Sequence, residues 1–354
     1  MSKPLVSVLI DTYNHASFIE QAIVSVLEQD VPAAEMEVLV VDDGSTDDTP
    51  SVVRQFSPRV RYLRKDNGGQ ASAFNAGIPE THGEIVSFLD GDDWWEKGKL
   101  SAALHQLEKH PEVSAVGHGW YEVYSGSKPH LVVVPEKDYE VHLRSLTGAR
   151  LFSQLRAFLG TSKITIRKTV LDRILPIPED LVIEADEYIF TLAPAIAPAI
   201  ILNQPLFYYR FHGNNLYMVQ SGDLVKLRRK HGVLRALLRT LPAPLSQLGV
   251  SQEIINAVLE PIGIDAKRLK LSMDGGKPWD TFRVERAAYR LSYKGTSLGY
   301  RAFKAVVLLL TLLMPPRQFY RAKNWYAAKG LRRLRKVLGE PTPAAPILEG
   351  EPEP

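Results

Sequence analysis

Over the first 115 positions, short and mostly apolar runs alternate with stretches of helical spacing. Residues 5–10, 38–41, 60–63 and 85–89 are short, mostly apolar runs of four to six positions, interrupted only by Ser7, Arg61 and Ser87, the pattern of buried strands. Between the first two runs, Ile19, Ala22, Ile23, Val26 and Leu27 recur at i, i+3, i+4, i+7 and i+8, one face of a helix. Ser17 through Glu20 has the spacing of a capping box at its start. Helical stretches near 47–56, 70–77 and 97–109 complete the alternation. The pattern predicts an α/β fold: a Rossmann-like, mostly parallel sheet covered by helices, joined by right-handed crossovers. Beyond 115 it loosens into strands at 113–123, 131–134 and 163–167, a helix near 186–197, a last strand over Ala199–Phe211, and helices from about 223.

Three polar clusters, at 11–14, 42–48 and 90–93, stand where the first, second and fourth strands end. A single acidic cluster after a strand is ordinary turn chemistry. Three in register point to the ligand crevice that open α/β sheets form beyond the carboxyl ends of their strands. In Asp90-Gly91-Asp92-Asp93, alternate aspartates can face one cation, and oxygen ligands select a hard ion such as Mg²⁺ or Mn²⁺. Gly91 is expected to allow the tight turn between them. The chain has no cysteine, which excludes disulfides, thiolate metal sites and a thiol nucleophile.

Four ordered motifs carry a family resemblance. They are Val6-Ser7-Val8-Leu9-Ile10-Asp11-Thr12-Tyr13-Asn14, then Val40-Val41-Asp42-Asp43-Gly44-Ser45-Thr46-Asp47, then Asn67-Gly68-Gly69-Gln70 with Asn75-Ala76-Gly77, and finally Phe88-Leu89-Asp90-Gly91-Asp92-Asp93. Together they resemble family 2 glycosyltransferases of the GT-A fold, closely over about 5–115 and loosely to about 215. The resemblance implies a nucleotide-diphosphate-sugar donor, a UDP-sugar foremost, a divalent cation, and inverting transfer. It places Thr12, Tyr13 and Asn14 around the base and Asp43 on base or ribose. It puts Asn67, Gly68, Gly69 and Gln70 along the donor pocket, Asp90 and Gly91 by the ribose or metal, Asp92 on the metal, and Asp93 and Trp94 by the sugar. Asp42 is expected to hold its own turn through the backbone N–H groups of Ser45 and Thr46. The chain departs from the family with Asp11 where proline is usual and Phe74 where arginine is frequent.

An inverting transfer needs a base for the acceptor hydroxyl. By the resemblance it comes from the acidic motif Glu184-Ala185-Asp186-Glu187, with Asp186 preferred, then Glu184, then Glu187. Acids are also enriched in the first turn of any helix. Tyr209-Arg210-Phe211-His212 resembles the family's closing motif, which gives Arg210 a place on phosphate or acceptor and His212 a place on the metal. His15, His82 and His118 lack such context. The Gln-x-x-Arg-Trp motif of processive relatives is absent, which favours transfer of a single sugar.

Charge changes the picture of the second half. Residues 1–216 hold 19 Lys and Arg against 29 Asp and Glu, while 217–339 hold 24 against 7. Three parts are expected: a catalytic domain over 1–216, a basic helical region over 217–339, and a disordered, proline-rich tail over 340–354. The apolar stretch 305–314 is followed by Pro315-Pro316 and eight cations between Arg317 and Lys336. At ten residues, about 15 Å as helix, it is too short to cross a bilayer. Binding at an anionic membrane surface is expected instead, with Phe319, Tyr320, Trp325 and Tyr326 at headgroup level. A packed helix with a solvated basic face is the plainer alternative, and nucleic acid is not expected as a partner. No signal-peptide pattern opens the chain, so the expected setting is cytoplasmic, at the inner membrane face. The expected acceptor is a glycan or a lipid-linked molecule. A nucleotidyltransferase and a noncatalytic sugar-nucleotide-binding module are the competing classes; residues 5–20 lack the phosphate loop of the former.

Overall fold

The computed structural model describes residues 5–124, 131–212, 215, 223–292 and 298–328. The tail over 340–354 and the cations from Lys329 to Lys336 lie outside the described residues, as do the side chains of Trp325 and Tyr326. The chain divides into two compact units, one of residues 1–212 with 240–255 and the other of 213–239 with 256–354.

The first unit opens with β1 (Val6–Thr12), α1 (Ile19–Leu27), β2 (Met36–Asp42), α2 (Thr49–Arg54), β3 (Arg61–Arg64), α3 (Gln70–Gly77) and β4 (Ile85–Asp90). These four strands are parallel, in the order β3-β2-β1-β4. Both faces of β1 and β2 are covered, and Val8, Leu9, Ile10 and Val38 to Val41 are at most 2% exposed, so continuous apolar runs became central strands. Ile19, Ala22, Ile23 and Val26 form the buried face of α1. The expected capping box is not made. Phe18, not Ser17, holds the cap position, with no side-chain cap bond, and the carbonyl of His15 takes the N–H groups of Phe18 and Ile19.

After β5 (Trp94–Trp95) and α4 (Lys99–Lys109) come β6 (Ala115–Tyr124), β7 (Leu131–Val133), β8 (Tyr139–Val141), α5 (Leu146–Leu155), β9 (Thr165–Arg167), α6 (Lys168–Ile174), α7 (Asp186–Ile196) and β10 (Ala199–Phe211). β9 joins the two halves, antiparallel to both β4 and β6, and β10 lies parallel to β6. Phe74 is fully buried on Phe88, with ring centroids 5.1 Å apart, so the family's frequent arginine position is core here. Lys99 is also fully buried, over the Trp95 ring and bonded to the hydroxyls of Ser87 and Thr165, and burial holds its amine well below its usual pKa.

The helices α8 (Leu224–Thr240), α9 (Pro242–Gln247), α10 (Gln252–Asp274), α11 (Pro278–Ser292), α12 (Leu298–Leu313) and α13 (Pro316–Ala328) follow. Within the second unit, Glu285 of α11 receives a two-pronged bond from Arg268 of α10 (2.9 and 3.0 Å), a bond from Lys323 of α13 (2.9 Å) and the Tyr320 hydroxyl (3.3 Å). Phe319 and Tyr320 are 5% and 4% exposed. Their expected headgroup position is therefore wrong, because α13 turns them inward to packing and to Glu285. The apolar stretch expected over ten residues belongs to a 16-residue helix, about 24 Å long. Among the described residues no helix is long and apolar enough to cross a membrane.

Candidate active site

Parallel pairing sets the site. The register aligns Asp11 with Asp90 at the carboxyl ends of β1 and β4, and Thr12 with Asp42 at those of β1 and β2. The second cluster is mostly a scaffold for neighbouring loops. Asp42 accepts from Ser45 N (2.7 Å) and from the Tyr62 hydroxyl (2.5 Å), while Thr46 N goes instead to Asn14 Oδ1 (2.7 Å). Only half of the expected Asp42 turn is made, since Asn14, at φ +57°, reaches across first. Asp43 gathers Gly68 N (3.0 Å), Gly69 N (2.7 Å) and Lys65 Nζ (2.7 Å), and its carbonyl accepts from Asn67. Asp43 thus shapes the loop 65–69. Beside it, Gly44, Arg64, Lys65, Asp66 and Asn67 line a cleft of about 450 Å³. Tyr13 is exposed and Thr12 is buried.

Two glycines are required for different reasons. Gly69 has φ +86°, and a Cβ there would lie 2.6 Å from Val182 Cα. That contact lets the carbonyls of Val182 and Leu181 accept the first N–H groups of α3 (3.0 and 3.3 Å). Gly91 lies in the expected tight turn, closed by Asp93 N on the Asp90 carbonyl (3.1 Å), but without a positive φ; its N–H bonds the Asp11 carbonyl, and a Cβ would strike Thr12 Oγ1 at 2.7 Å. Close approach to β1 is what excludes a side chain.

Carboxylates converge beyond these strand ends. Gln70 Nε2 stands 3.4 Å from each of Asp11, Asp90 and Thr161, and its Oε1 accepts Ala185 N at 2.9 Å. One amide therefore ties the β1 and β4 ends to the start of α7. Ser162, held at φ +66°, donates to Asp93 (2.9 Å) and accepts Asp90 N (3.1 Å). Thr161 N donates to Asp186 Oδ2 at 2.8 Å. Asp186 reaches this space, whereas Glu187 turns to an ion pair with Arg156, and Glu184 sits at φ +55° just before the helix.

Burial raises the Asp11 carboxyl to about 7, helped by the charges of Asp92 and Asp186. Burial, with Asp11, Asp93 and Asp92 close by, lifts Asp90 well above the usual carboxylate range, and burial with Asp92 does the same for Asp93. Burial works to raise Asp92 as well, but the His212 hydrogen bond (3.0 Å) and the nearby His15 (3.9 Å) outweigh it and hold Asp92 low. Arg210 bonds the Asp92 carbonyl (2.8 Å) and Gln21 (2.6 Å), between the rings of Phe18 and Trp94. Trp94 in turn stacks on Tyr208 at 4.9 Å.

Of the residues expected on the metal, Asp92 and His212 meet, while Asp90 is turned toward Gln70 and Ser162. Among the described residues no three acids or histidines converge as a ready-made metal cage. The donor chemistry nonetheless fits a hard divalent ion: carboxylates crowd together, an imidazole adjoins Asp92, and Asp11 Oδ1 is buried without a hydrogen bond. Such ions commonly take remaining ligands from a substrate's phosphates. Sequence reasoning missed His15, which follows Asn14 directly and stands 3.2 Å from Thr12 Oγ1. It also missed Gly160-Thr161-Ser162-Lys163, where only the strand entry at 163 was legible.

Residues 7–174 match the model of Glycosyl transferase family 2. That stretch, just under half of the chain, belongs to this family. An uncharacterised glycosyltransferase of Nostoc sp. is 32% identical over 228 residues, which cover 60% of this chain and 66% of that protein. A chondroitin synthase of Pasteurella multocida is 38% identical over 116 residues, 32% of this chain and 12% of that one. The chain thus spans about two thirds or less of the length of these relatives. S. aureus TarS 1–349, solved in complex with UDP-GlcNAc, shares the fold at a TM-score of 0.52 and 21% identity, covering 83% of this chain and 94% of its own.

Proposed function

We propose that the protein is an inverting glycosyltransferase that moves one sugar from a nucleotide-diphosphate-sugar, a UDP-sugar foremost, to a hydroxyl of a glycan or lipid-linked acceptor during glycan or polysaccharide assembly. Its setting in this reading is the cytoplasmic face of a membrane, with the catalytic domain over 1–216 and the basic helical region over 217–339. The observation that carries the reading is the convergence of Asp11, Asp90, Asp92, Asp93 and Asp186 beyond the sheet's carboxyl edge, bridged by Gln70 and the loop 160–163. A nucleoside diphosphate bound to TarS supports the choice of donor.

In this mechanism the loop shaped by Asp43, with Thr12, Tyr13, Asn14 and Asn67, holds the nucleotide. The acceptor hydroxyl attacks the anomeric carbon as the bond to the diphosphate oxygen breaks, and Asp186 takes the hydroxyl proton. Attack from the face opposite the leaving group inverts the centre. Thr161 N–H and the Gln70 link to Ala185 fix Asp186 at the start of α7. A Mg²⁺ or Mn²⁺ ion held by Asp92 and His212, with Asp90 beside them, would neutralise the departing diphosphate.

The test is a thermal-shift screen of nucleotide sugars with Mn²⁺, followed by assay of donor hydrolysis. Ligand at about 100 times Kd should stabilise by about 2.7 kcal/mol. Binding without any hydrolysis or transfer would leave a noncatalytic binding module, and stabilisation by nucleoside triphosphates alone would overturn the donor class.

A further inference from the structure

The helix α12 is built inside out. Val306, Leu309, Leu310 and Leu313 recur at i, i+3, i+4 and i+7 and are 55, 60, 43 and 77% exposed. Thr311, a polar residue of the same helix, is fully buried and spends its hydroxyl on the Leu308 carbonyl (2.6 Å). An ordinary surface helix turns its apolar stripe to the core. Here the stripe faces outward, on a helix of 16 residues that contains no acid. A contiguous apolar row of this kind marks a surface that something else covers.

Charge around the row says what covers it. On α11, which packs against α12, Arg283, Arg286 and Arg290 are exposed, and on α13 Arg317 and Arg321 are exposed. Glu285, the acid among those arginines, is buried and consumed by Arg268 and Lys323, so it does not offset them at the surface. A second copy of so cationic a surface would be repelled, whereas anionic headgroups are attracted, at about 1 kcal/mol for each Lys or Arg near the surface. A helix about 24 Å long cannot cross a hydrocarbon core of about 30 Å, but it can lie in the headgroup plane with its apolar row immersed.

We propose that α12 is a membrane-docking helix, lying flat on an anionic bilayer with Val306, Leu309, Leu310 and Leu313 in the acyl boundary and the arginines of α11 and α13 serving the headgroups. The inference rests on the peripheral-membrane part of the reading above, not on glycosyl transfer.

Flotation of the full chain with vesicles of neutral phosphatidylcholine, or of phosphatidylcholine with about a third phosphatidylglycerol, tests it. The parent should float with the anionic vesicles only, and high salt should weaken binding as it screens the charges. Leu309→Ser with Leu313→Ser should weaken binding at least tenfold at an unchanged thermal midpoint, and Arg286→Glu with Arg290→Glu should do so with a reduced salt dependence. If the parent floats and the serine variant floats equally well, α12 is not the docking element although membrane binding stands. If the parent binds neither vesicle, the proposal falls. Sedimentation showing a dimer that the serine substitutions split would assign the row to a second copy and overturn it. Donor-induced thermal shift on the same samples reports the nucleotide-sugar reading separately, since none of these residues belongs to that site.

Discussion

Buried charge is handled in opposite ways in the two units. In the second, Glu285 is flanked by Arg268 and Lys323, and every partner is of opposite sign or a hydrogen-bond donor. In the first, Asp11, Asp90, Asp92, Asp93 and Asp186 press on one another, and the shifts at Asp11, Asp90 and Asp93 run against ionisation. The arrangement around Glu285 is matched and serves folding. The cluster of aspartates stores repulsion that a cation can relieve, and folding has no use for it. Perturbed carboxylates clustered in one sign are therefore a better mark of a functional site than burial of charge alone.

The comparison breaks first at the aspartates. Asp92→Asn should lower transfer by about 10³-fold or more, since stabilising a departing diphosphate is worth several kcal/mol. Excess chelator should do the same to the parent. Asp90→Asn should likewise cost activity, yet leave the metal-free protein with a thermal midpoint equal to or above the parent's, because it removes one member of a like-charged group. Full activity in excess EDTA would sink the cation reading; a large fall in midpoint for Asp90→Asn would show that the cluster holds the fold together.

The base assignment sharpens the same contrast. Asp186→Asn should cut turnover by about 10² to 10⁴ with donor affinity nearly intact, because a base acts on the acceptor hydroxyl and not on the nucleotide. Glu187 is already matched by Arg156, and its loss should act on stability. Should Glu184→Gln show the turnover loss while Asp186→Asn stays active, the register within the acidic motif is wrong by two residues. Single-turnover rates and donor affinities, measured on both variants, decide it.

What could be read beforehand follows from the range of each interaction. The strands β1, β2 and β4 were legible because a parallel central strand must be apolar on both faces, and their polar ends follow at once. Asp186 was legible as an acid opening a helix. Ser162 and Thr161 were not, because their roles depend on contacts with Asp90, Asp93 and Asp186, between 25 and 72 positions away, and on a positive φ that a serine does not announce. His15 lay one residue beyond a recognised cluster and meets Asp92, which only the β1–β4 register brings near. The capping box failed because the helix starts one residue later, with Phe18 at the cap. Phe319 and Tyr320 were misjudged because aromatic residues beside cations suit an interface and a core equally well, and only the buried Glu285 on another helix distinguishes the two.

The effect that probes the matched unit directly is on stability and leaves the chemistry untouched. Glu285→Gln should destabilise the protein by about 3 to 5 kcal/mol, the usual cost of breaking a buried ion pair by removing one partner, while leaving the donor-induced shift in place. The same group predicts a pH dependence. Burial alone would raise Glu285, but Lys323 and Arg268 outweigh it and bring the carboxyl from 4.5 to about 2. A carboxyl whose pKa is lower when folded contributes stability that is complete above its unfolded value and is lost as pH falls through the folded one. Between about pH 5 and pH 2 the parent should therefore lose about 3 kcal/mol that Glu285→Gln does not lose, and the two denaturation curves should approach each other at the acid end. Urea midpoints across that interval test this. Parallel curves for parent and variant would mean that the ion pairs around Glu285 are not what matches its charge, and the contrast between the two units would lose its second half.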